Sequence, residues 1–161
     1  MDREVLEALN KQLNQELRNA YLYLAMAAYF DHLSLSGFAH YFKVQAKEEL
    51  EHAMKIYEYV VARGDRVELQ DVSVGKKNWS SPLEAARDFY EAEKENTQRI
   101  WNLVELARKS GDKATEAFLQ WFVNEQVEEE EQALDLLSKL EMIKENVAAL
   151  LALDRVLAER K

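Results

Sequence analysis

The chain has 161 residues, of which 30 are acidic and 21 basic, and its net charge of −9 argues against nucleic acid or an anionic membrane as a partner. It contains no cysteine, which excludes disulfides, thiol nucleophiles and cysteine-ligated metal clusters. Four glycines, one proline and 48% hydrophobic residues predict an all-α protein of long helices, which we interpret as a single domain over residues 1–161.

The first predicted helix covers about residues 4–32. Its apolar positions recur in steps of three and four from Leu6 to Phe30, which predicts one buried face. The apolar run at residues 20–30 is shorter than the roughly 20 residues that a membrane-spanning helix needs. The first residues, "MDREVLEALN", contain no apolar signal segment, so we expect a cytoplasmic protein.

The same periodicity predicts three more long helices, at about residues 36–63, 82–109 and 113–141, which complete a four-helix bundle over about 4–141. Short turns join the first helix to the second and the third to the fourth, so each pair should be antiparallel. A fifth, shorter helix at about 145–159 has an apolar face, and we expect it to pack on the end of the bundle or on another subunit.

The segment "RGDRVELQDVSVGKKNWSSP" lies between the second and third helices and has no helical periodicity. A helix of about 28 residues is roughly 42 Å long, and an extended loop of about 17 residues can exceed that length. We therefore predict one long crossover and an up–down–down–up bundle, with the third helix starting at the end where the first helix starts. Ser80 or Ser81, followed by Pro82 and Glu84, is a good helix start.

Each long helix places an acidic residue on the face that its periodicity buries. These residues are Glu16, Glu49, Glu93 and, on the fourth helix, Glu125 and Glu129. Carboxylates are rarely buried without a partner, because desolvating an ion costs several kcal/mol. One such acid would indicate a surface residue on a misassigned face. Four helices with the same feature require a common explanation.

The two halves of the chain repeat this pattern at a spacing of 77 residues. The shift superimposes Glu16 on Glu93, Glu49 on Gln126 and His52 on Glu129. The repeat indicates a duplicated helical hairpin, with chance coincidence as the alternative.

The spacing within the second helix suits a metal site. Residues three apart share a helix face, so Glu49 and His52 can reach one point inside the bundle. Bundles that hold two metal ions use one Glu from each of two helices and a Glu-x-x-His pair from each of the others. The chain offers Glu16 and Glu93 as the single acids, Glu49 with His52 as one pair, and Gln126 with Glu129 in place of the second. An oxygen-rich site with one imidazole favours Fe(II) or Mn(II).

Three stretches, "LNQELRNAYLYLAMAAYF", "GFAHYFKVQAKEELEHAMKIYEYV" and "FLQWFVNEQVEEE", resemble the non-haem ferritins of bacteria and archaea. The resemblance extends over nearly the whole chain. It implies a subunit of a hollow 24-mer, a homo-oligomer that oxidises Fe(II) with O2 or peroxide and stores ferric mineral inside.

The resemblance also implies roles for individual residues. Glu16, Glu49 and His52 match the first iron site, with Glu49 as the bridge, and Glu93 with Glu129 match the second, with Gln126 close by. The acids Glu48, Glu125, Glu128 and Glu129 match a third iron site beside the pair. Tyr23 matches a tyrosine next to the centre, where packing is the simpler interpretation. Leu50 stands where the related bacterioferritins have a haem-ligating Met, so we expect no haem.

Several alternatives stay open from the sequence. A di-iron oxygenase or peroxidase would keep its metals and act on an organic substrate or on peroxide. A purely structural bundle would leave the buried acids without an explanation. We interpret Trp121 as a core residue rather than an electron donor, and Glu130 and Glu131 as part of a solvated face. We also expect His32 and His40 to be surface histidines.

Overall fold

The structure is a computed structural model that describes residues 1–161. It contains five helices: α1 (Arg3–His32), α2 (Ser36–Ala62), α3 (Pro82–Lys109), α4 (Lys113–Ile143) and α5 (Val147–Leu157). The predicted all-α class is confirmed, and the four long helices begin and end within two residues of their predicted bounds. Helix α5 is shorter than predicted. None of the helices is both long and apolar enough to cross a membrane.

Side chains fix the starts of α3 and α4. The Ser81 hydroxyl accepts a hydrogen bond of 3.1 Å from the Glu84 N–H, and Pro82 takes the first helical position, where no N–H is needed. Asp112 caps α4 in the same way by accepting a hydrogen bond of 3.0 Å from the Thr115 N–H. The residues predicted to start the third helix, Ser81 followed by Pro82, are therefore confirmed.

The buried apolar side chains form two clusters, one toward each end of the bundle. The larger cluster includes Tyr23, Phe30, Phe38, Phe42 and Phe89. The smaller cluster includes Leu9, Leu13, Ile56, Ile100 and Phe122. Along α1 the two clusters are separated by Glu16, so the middle of the bundle is polar and is enclosed by apolar packing on both sides.

Residues 63–81 form the crossover between α2 and α3, and they run alongside α1. The Met1 ammonium contacts the Asp65 carboxylate at 3.0 Å, whereas the Trp79 ring packs on the Tyr29 ring with centroids 5.6 Å apart. The crossover thus starts beside the N-terminal residue that precedes α1 and finishes beside the last turns of α1. We predicted that the third helix starts at the end of the bundle where the first helix starts, and this prediction was wrong. Helix α3 begins at the end where α1 finishes. Since α2 already returns the chain to the start of α1, a loop that spans the bundle has to end at the opposite side.

Two asparagines of α1 hold the crossover. Asn10 donates a hydrogen bond of 3.2 Å to the Arg66 carbonyl and accepts one of 3.0 Å from the Glu68 N–H. Asn14 donates 2.9 Å to the Glu68 carbonyl and accepts 2.8 Å from the Gln70 N–H. The extended backbone therefore satisfies its polar groups on helix side chains instead of on a neighbouring strand.

Helix α5 packs across the start of α2. The Phe38 N–H donates a hydrogen bond of 2.8 Å to Asp154 Oδ1, which provides α2 with a cap from a distant part of the chain. Gly37 allows this approach, because a Cβ there would lie 1.7 Å from the Asp154 carbonyl oxygen. Leu153 is buried against the bundle, as predicted for the packing of this helix. The opposite face of α5 exposes Val147, Leu151 and Val156.

Candidate metal centre

Four carboxylates meet in the polar middle of the bundle. Glu16 of α1, Glu49 of α2, Glu93 of α3 and Glu129 of α4 are each at most 1% exposed, and His52 of α2 lies among them. No lysine or arginine forms a salt bridge with any of the four. Uncompensated buried carboxylates of this kind require a proton or a cation.

The ligand atoms fall into two overlapping groups. Glu16, Glu49 and His52 form the first, and Glu49, Glu93 and Glu129 form the second, with the ligand atoms of each group within 4.8 Å of one another. Glu49 belongs to both groups. Its two oxygens are therefore in position to contact two cations at once.

The first group contains three buried ligand atoms that have no hydrogen-bond partner: Glu16 Oε2, Glu49 Oε2 and His52 Nδ1. His52 Nδ1 lies 3.5 Å from Glu49 Oε2 and 3.9 Å from Glu16 Oε2. The other oxygens are fixed by amides, since Gln12 donates 3.1 Å to Glu16 Oε1 and Gln45 donates 3.3 Å to Glu49 Oε1. Each carboxylate thus keeps one oxygen free and aimed at a common point, and this fits a divalent cation.

The second group is more fully hydrogen-bonded. The Tyr23 hydroxyl donates 2.5 Å to Glu93 Oε1, and Gln126 Nε2 donates 3.3 Å to Glu93 Oε2. Gln45 Nε2 donates 2.7 Å to Glu129 Oε2. Gln126 is therefore a hydrogen-bond donor to a candidate ligand in this structure, and its amide also donates to Thr97 and to the backbone of Glu93.

Electrostatics at the centre favour protonated carboxyls when no cation is present. Burial and the charge of Glu16 raise the pKa of Glu49 well above its usual range. Burial raises the pKa of Glu93 to about 7, although the Tyr23 hydrogen bond lowers it. Burial and the charge of Glu93 raise the pKa of Glu129 to about 9. A cation that binds here therefore displaces protons.

A third group contains ligand atoms of His52, Glu125 and Glu129. Burial raises the pKa of Glu125, which is half-buried, although the nearby His52 opposes the shift. Glu48 is half-buried too, but its carboxylate contacts Arg160 at 3.1 Å, and Glu128 is exposed to solvent. The structure thus brings two of the four acids predicted for a third site together with an imidazole and leaves the other two outside the group.

Several sequence-based expectations need correction. The buried face of α4 contains Gln126 and not Glu125, although Phe122, Glu129, Leu136 and Leu140 are buried as predicted. Trp121 is 38% exposed and not in the core; it packs edge-on against His52, with centroids 5.4 Å apart, and carries the Lys55 ammonium over its ring. Glu130 is half-buried and accepts a hydrogen bond from Thr97, so it is not simply solvated.

The two histidines away from the centre differ. His32 is exposed, as expected. His40 is half-buried, and its Nε2 lies 2.6 Å from the Arg160 carbonyl oxygen, so it is not a free surface histidine.

Sequence reasoning assigned no role to the amides that orient the acids. Gln45 and Asn96 lie on predicted buried faces, one turn away from an acid, and their burial was therefore visible in the periodicity. Gln12 lies one turn before Glu16 and donates to it and to Asn96. The sequence signal that could have identified these residues is an amide on a predicted buried face, one helical turn from a buried acid.

Comparison with known proteins identifies the family. A family model described as the ferritin-like domain matches residues 6–143. The chain belongs to the ferritin family. A protein of Staphylococcus epidermidis named bacterial non-heme ferritin is 46% identical over 143 residues, which cover 87% of this chain and 86% of that protein. The protein of the same name from Staphylococcus aureus is 49% identical over 130 residues, which cover 81% of this chain and 78% of that protein.

Solved ferritin structures agree with this fold. A structure described as a novel open pore ferritin from the hyperthermophilic archaeon Archaeoglobus fulgidus has a TM-score of 0.99 and 49% identity, over 100% of this chain and 99% of that chain. An engineered closed form of the Archaeoglobus fulgidus ferritin has a TM-score of 0.99 and 50% identity, over 100% of this chain and 98% of that chain. The predicted resemblance to prokaryotic non-haem ferritins is confirmed.

Proposed function

We propose that this ferritin stores iron and that its buried centre is a ferroxidase site, which oxidises Fe(II) with O2 before the ferric product is deposited inside a hollow oligomer. The observation that carries the proposal is the set of three unpartnered ligand atoms on Glu16, Glu49 and His52. A divalent cation would satisfy two carboxylate oxygens and an imidazole nitrogen at one buried point together, whereas a single proton can bridge only two of these three atoms.

Iron is the substrate of the centre, and two Fe(II) ions bind in the two groups. Glu16, Glu49 and His52 hold one ion, and Glu93 and Glu129 hold the other, with Glu49 between them. The Tyr23 hydroxyl and the Gln126 amide both donate to Glu93 and keep its carboxylate in place. The raised pKa values of Glu49, Glu93 and Glu129 mean that binding of the iron pair releases protons.

The electrons for the reaction come from the iron. Two Fe(II) ions each give up one electron, and together they reduce O2 to the level of hydrogen peroxide; peroxide can take the place of O2 as the oxidant. The protein supplies a pair of adjacent sites, a set of carboxylates oriented by hydrogen bonds and an apolar enclosure. Carboxylates that exchange easily between protons and cations allow the product iron to leave.

Three further proposals are based on membership of the family, and they concern the oligomeric state, the cellular location and haem. We propose a homo-oligomer, a 24-mer cage in the cytoplasm, with no haem. The exposed apolar side chains Val147, Leu151 and Val156 on α5 support burial of this face in an assembly. A third cation would use Glu48, Glu125, Glu128 and Glu129 beside the pair.

The surface near the centre favours storage over an oxygenase. An open groove of about 540 Å³ lies next to His52, and most of the residues that line it are charged, among them Lys47, Glu48, Lys55 and Glu58. An enzyme for an organic substrate needs a mainly apolar pocket that encloses the substrate. A charged open groove suits the passage of hydrated ions.

Iron loading tests the proposal. The purified protein is mixed in air with Fe(II) at increasing ratios, up to hundreds of ions per subunit, and the iron content of the soluble particle is measured by gel filtration with light scattering. We expect a soluble iron-rich particle. Loading that stops near two or three ions per subunit would show that the centre keeps its metals, as an oxygenase does, and would overturn the storage function.

A further inference from the structure

Arg160 follows α5 and reaches the edge of the metal centre. Its Nη1 donates 3.0 Å to the Tyr41 carbonyl, and its Nη2 donates 2.8 Å to Gln45 Oε1 and 3.1 Å to Glu48 Oε2. Nη2 also donates 3.3 Å to Gln132 Oε1, and the guanidinium lies 4.2 Å above the centre of the Tyr41 ring. Only 13% of the Arg160 side chain is exposed. A single side chain thus binds two side-chain amides, Gln45 and Gln132, and one acid, Glu48, near the candidate ligands.

The docking of α5 fixes this position. Asp154 Oδ1 accepts a hydrogen bond from the Phe38 N–H at one end of the contact with α2, and His40 Nε2 lies 2.6 Å from the Arg160 carbonyl at the other. The backbone on both sides of the arginine is therefore held against α2. The guanidinium is placed by the fold and not by a free tail.

Gln45 connects Arg160 to the centre. Because Gln45 Oε1 accepts from the guanidinium, its Nε2 is left to donate to Glu49 Oε1 at 3.3 Å and to Glu129 Oε2 at 2.7 Å. The opposite orientation of the amide would place Oε1 against two carboxylate oxygens. Arg160 thus reinforces the amide orientation that holds two of the candidate ligands.

The carboxylate of Glu48 contacts Arg160 and is not part of the third group of ligand atoms. Ligand atoms of His52, Glu125 and Glu129 lie within 4.8 Å of one another, whereas the Glu48 carboxylate contacts Arg160 at 3.1 Å. Glu48 lines the same groove as His52 and Glu125, so it lies beside this group. A cation bound by His52, Glu125 and Glu129 that took Glu48 as a further ligand would therefore compete with the guanidinium of Arg160 for this carboxylate.

We propose that Arg160 is a positioning residue that competes with a third divalent cation for Glu48. This inference rests on the proposed function, since it assumes that the centre binds divalent cations. While Arg160 holds Glu48, the third position has one ligand fewer and faces an additional positive charge. The third cation then binds more weakly than the first two, and its binding requires that the arginine release the acid.

Titration of the metal-free, full-length protein with Zn(II), a redox-inert probe, tests the inference by calorimetry. In Arg160→Gln we expect the third Zn(II) ion per subunit to bind about tenfold more tightly, because one charged hydrogen bond no longer opposes it. The affinities of the first two ions should change less than that of the third, because Arg160 reaches Glu49 and Glu129 only through Gln45. The matched control is Arg155→Gln, which removes the same charge from an exposed position on α5 and should leave all three affinities unchanged.

A double-variant cycle separates competition from a general structural effect. Arg160→Gln should have no effect on the third ion when Glu48 is already replaced by Gln, because the contested carboxylate is then absent. Any loosening of α5 affects both backgrounds equally. An unchanged third affinity in Arg160→Gln, or an equal gain in the Glu48→Gln background, would overturn the inference alone. A wild-type protein that binds fewer than two Zn(II) ions would overturn the proposed function and this inference with it.

Discussion

The Tyr23 hydroxyl of α1 donates a hydrogen bond of 2.5 Å to Glu93 Oε1 of α3, and both side chains are completely buried. The contact joins two helices that lie on opposite sides of the long crossover in sequence. Burial raises the pKa of Glu93 to about 7, and the Tyr23 hydrogen bond lowers it. The tyrosine thus favours the ionised carboxylate, which is the form that binds a cation.

Replacement of Tyr23 by Phe should therefore raise the pKa of Glu93. We expect the pH at which Zn(II) binding to the centre is half complete to rise by about one unit, because a charged hydrogen bond is lost. Calorimetric titrations between pH 5.5 and 8.5 measure this shift. Tyr29→Phe, on the same helix but packed against Trp79, is the matched control and should leave the profile in place. An identical profile for Tyr23→Phe would show that the hydroxyl does not act on Glu93.

Replacement of Glu49 by Gln should lower the rate of Fe(II) oxidation but raise the melting temperature of the metal-free protein. Glu49 belongs to both ligand groups, so we expect the fast phase of Fe(II) oxidation to fall by about two orders of magnitude or more. The metal-free variant should melt a few degrees higher, because buried Glu49 has to take up a proton on folding at neutral pH, whereas Gln is already neutral. Stopped-flow absorbance and circular dichroism measure the two effects. Glu51→Gln, at an exposed position on the same helix, should change neither.

The raised pKa values predict how the stability of the metal-free protein depends on pH. Glu93 and Glu129 titrate near 7 and near 9 in the folded chain, above the value of about 4.3 for an unfolded Glu. Their contribution to the free energy of unfolding is complete below about pH 4.3 and is lost as the pH rises through about 7 and then about 9. Thermal midpoints in the presence of a chelator should therefore decrease over that range.

Two comparisons isolate this effect from the general charge of the protein. The Glu93→Gln/Glu129→Gln variant should show a flatter decrease, because the titrating groups are gone. Addition of Zn(II) to the wild-type protein should restore stability most strongly at high pH, where the ionised carboxylates bind the cation. A midpoint that rises steadily from pH 5 to 9 without metal would contradict the assigned pKa shifts.

The close contact between α5 and α2 makes Gly37 sensitive to substitution. In Gly37→Ala the new methyl group would lie 1.7 Å from the Asp154 carbonyl, so α5 has to move and its cap on Phe38 is lost. We expect a loss of about 1–3 kcal/mol in the free energy of unfolding. Gly75→Ala is the matched control, because a Cβ at that position has no neighbour within 4 Å. Equal melting temperatures for the two variants would show that α5 does not pack as described.

The fold and the four central acids follow from local pattern, since helical periodicity is sufficient to place four acids on buried faces: Glu16, Glu49, Glu93 and Glu129. The fourth helix shows the limit of that method. Its many consecutive acids allow two faces, and only packing selects Gln126 over Glu125. The role of Arg160 has no local signal at all, because its partner Glu48 is 112 residues away and α5 has to dock before they meet.

The side-chain amides of Asn10 and Asn14 have a consequence for the crossover. Four residues of helix rise by about 6 Å, and two residues of extended chain by about 6.6 Å, so the two amides are spaced to match alternate residues of the loop. Alternate residues of the crossover thus pair with successive turns of α1, as they would pair in register with a neighbouring β-strand. A single residue inserted between Arg66 and Gln70 would put the amides out of step with the backbone. This loop is constrained in length as well as in sequence, unlike the exposed tips where proteins usually accept insertions.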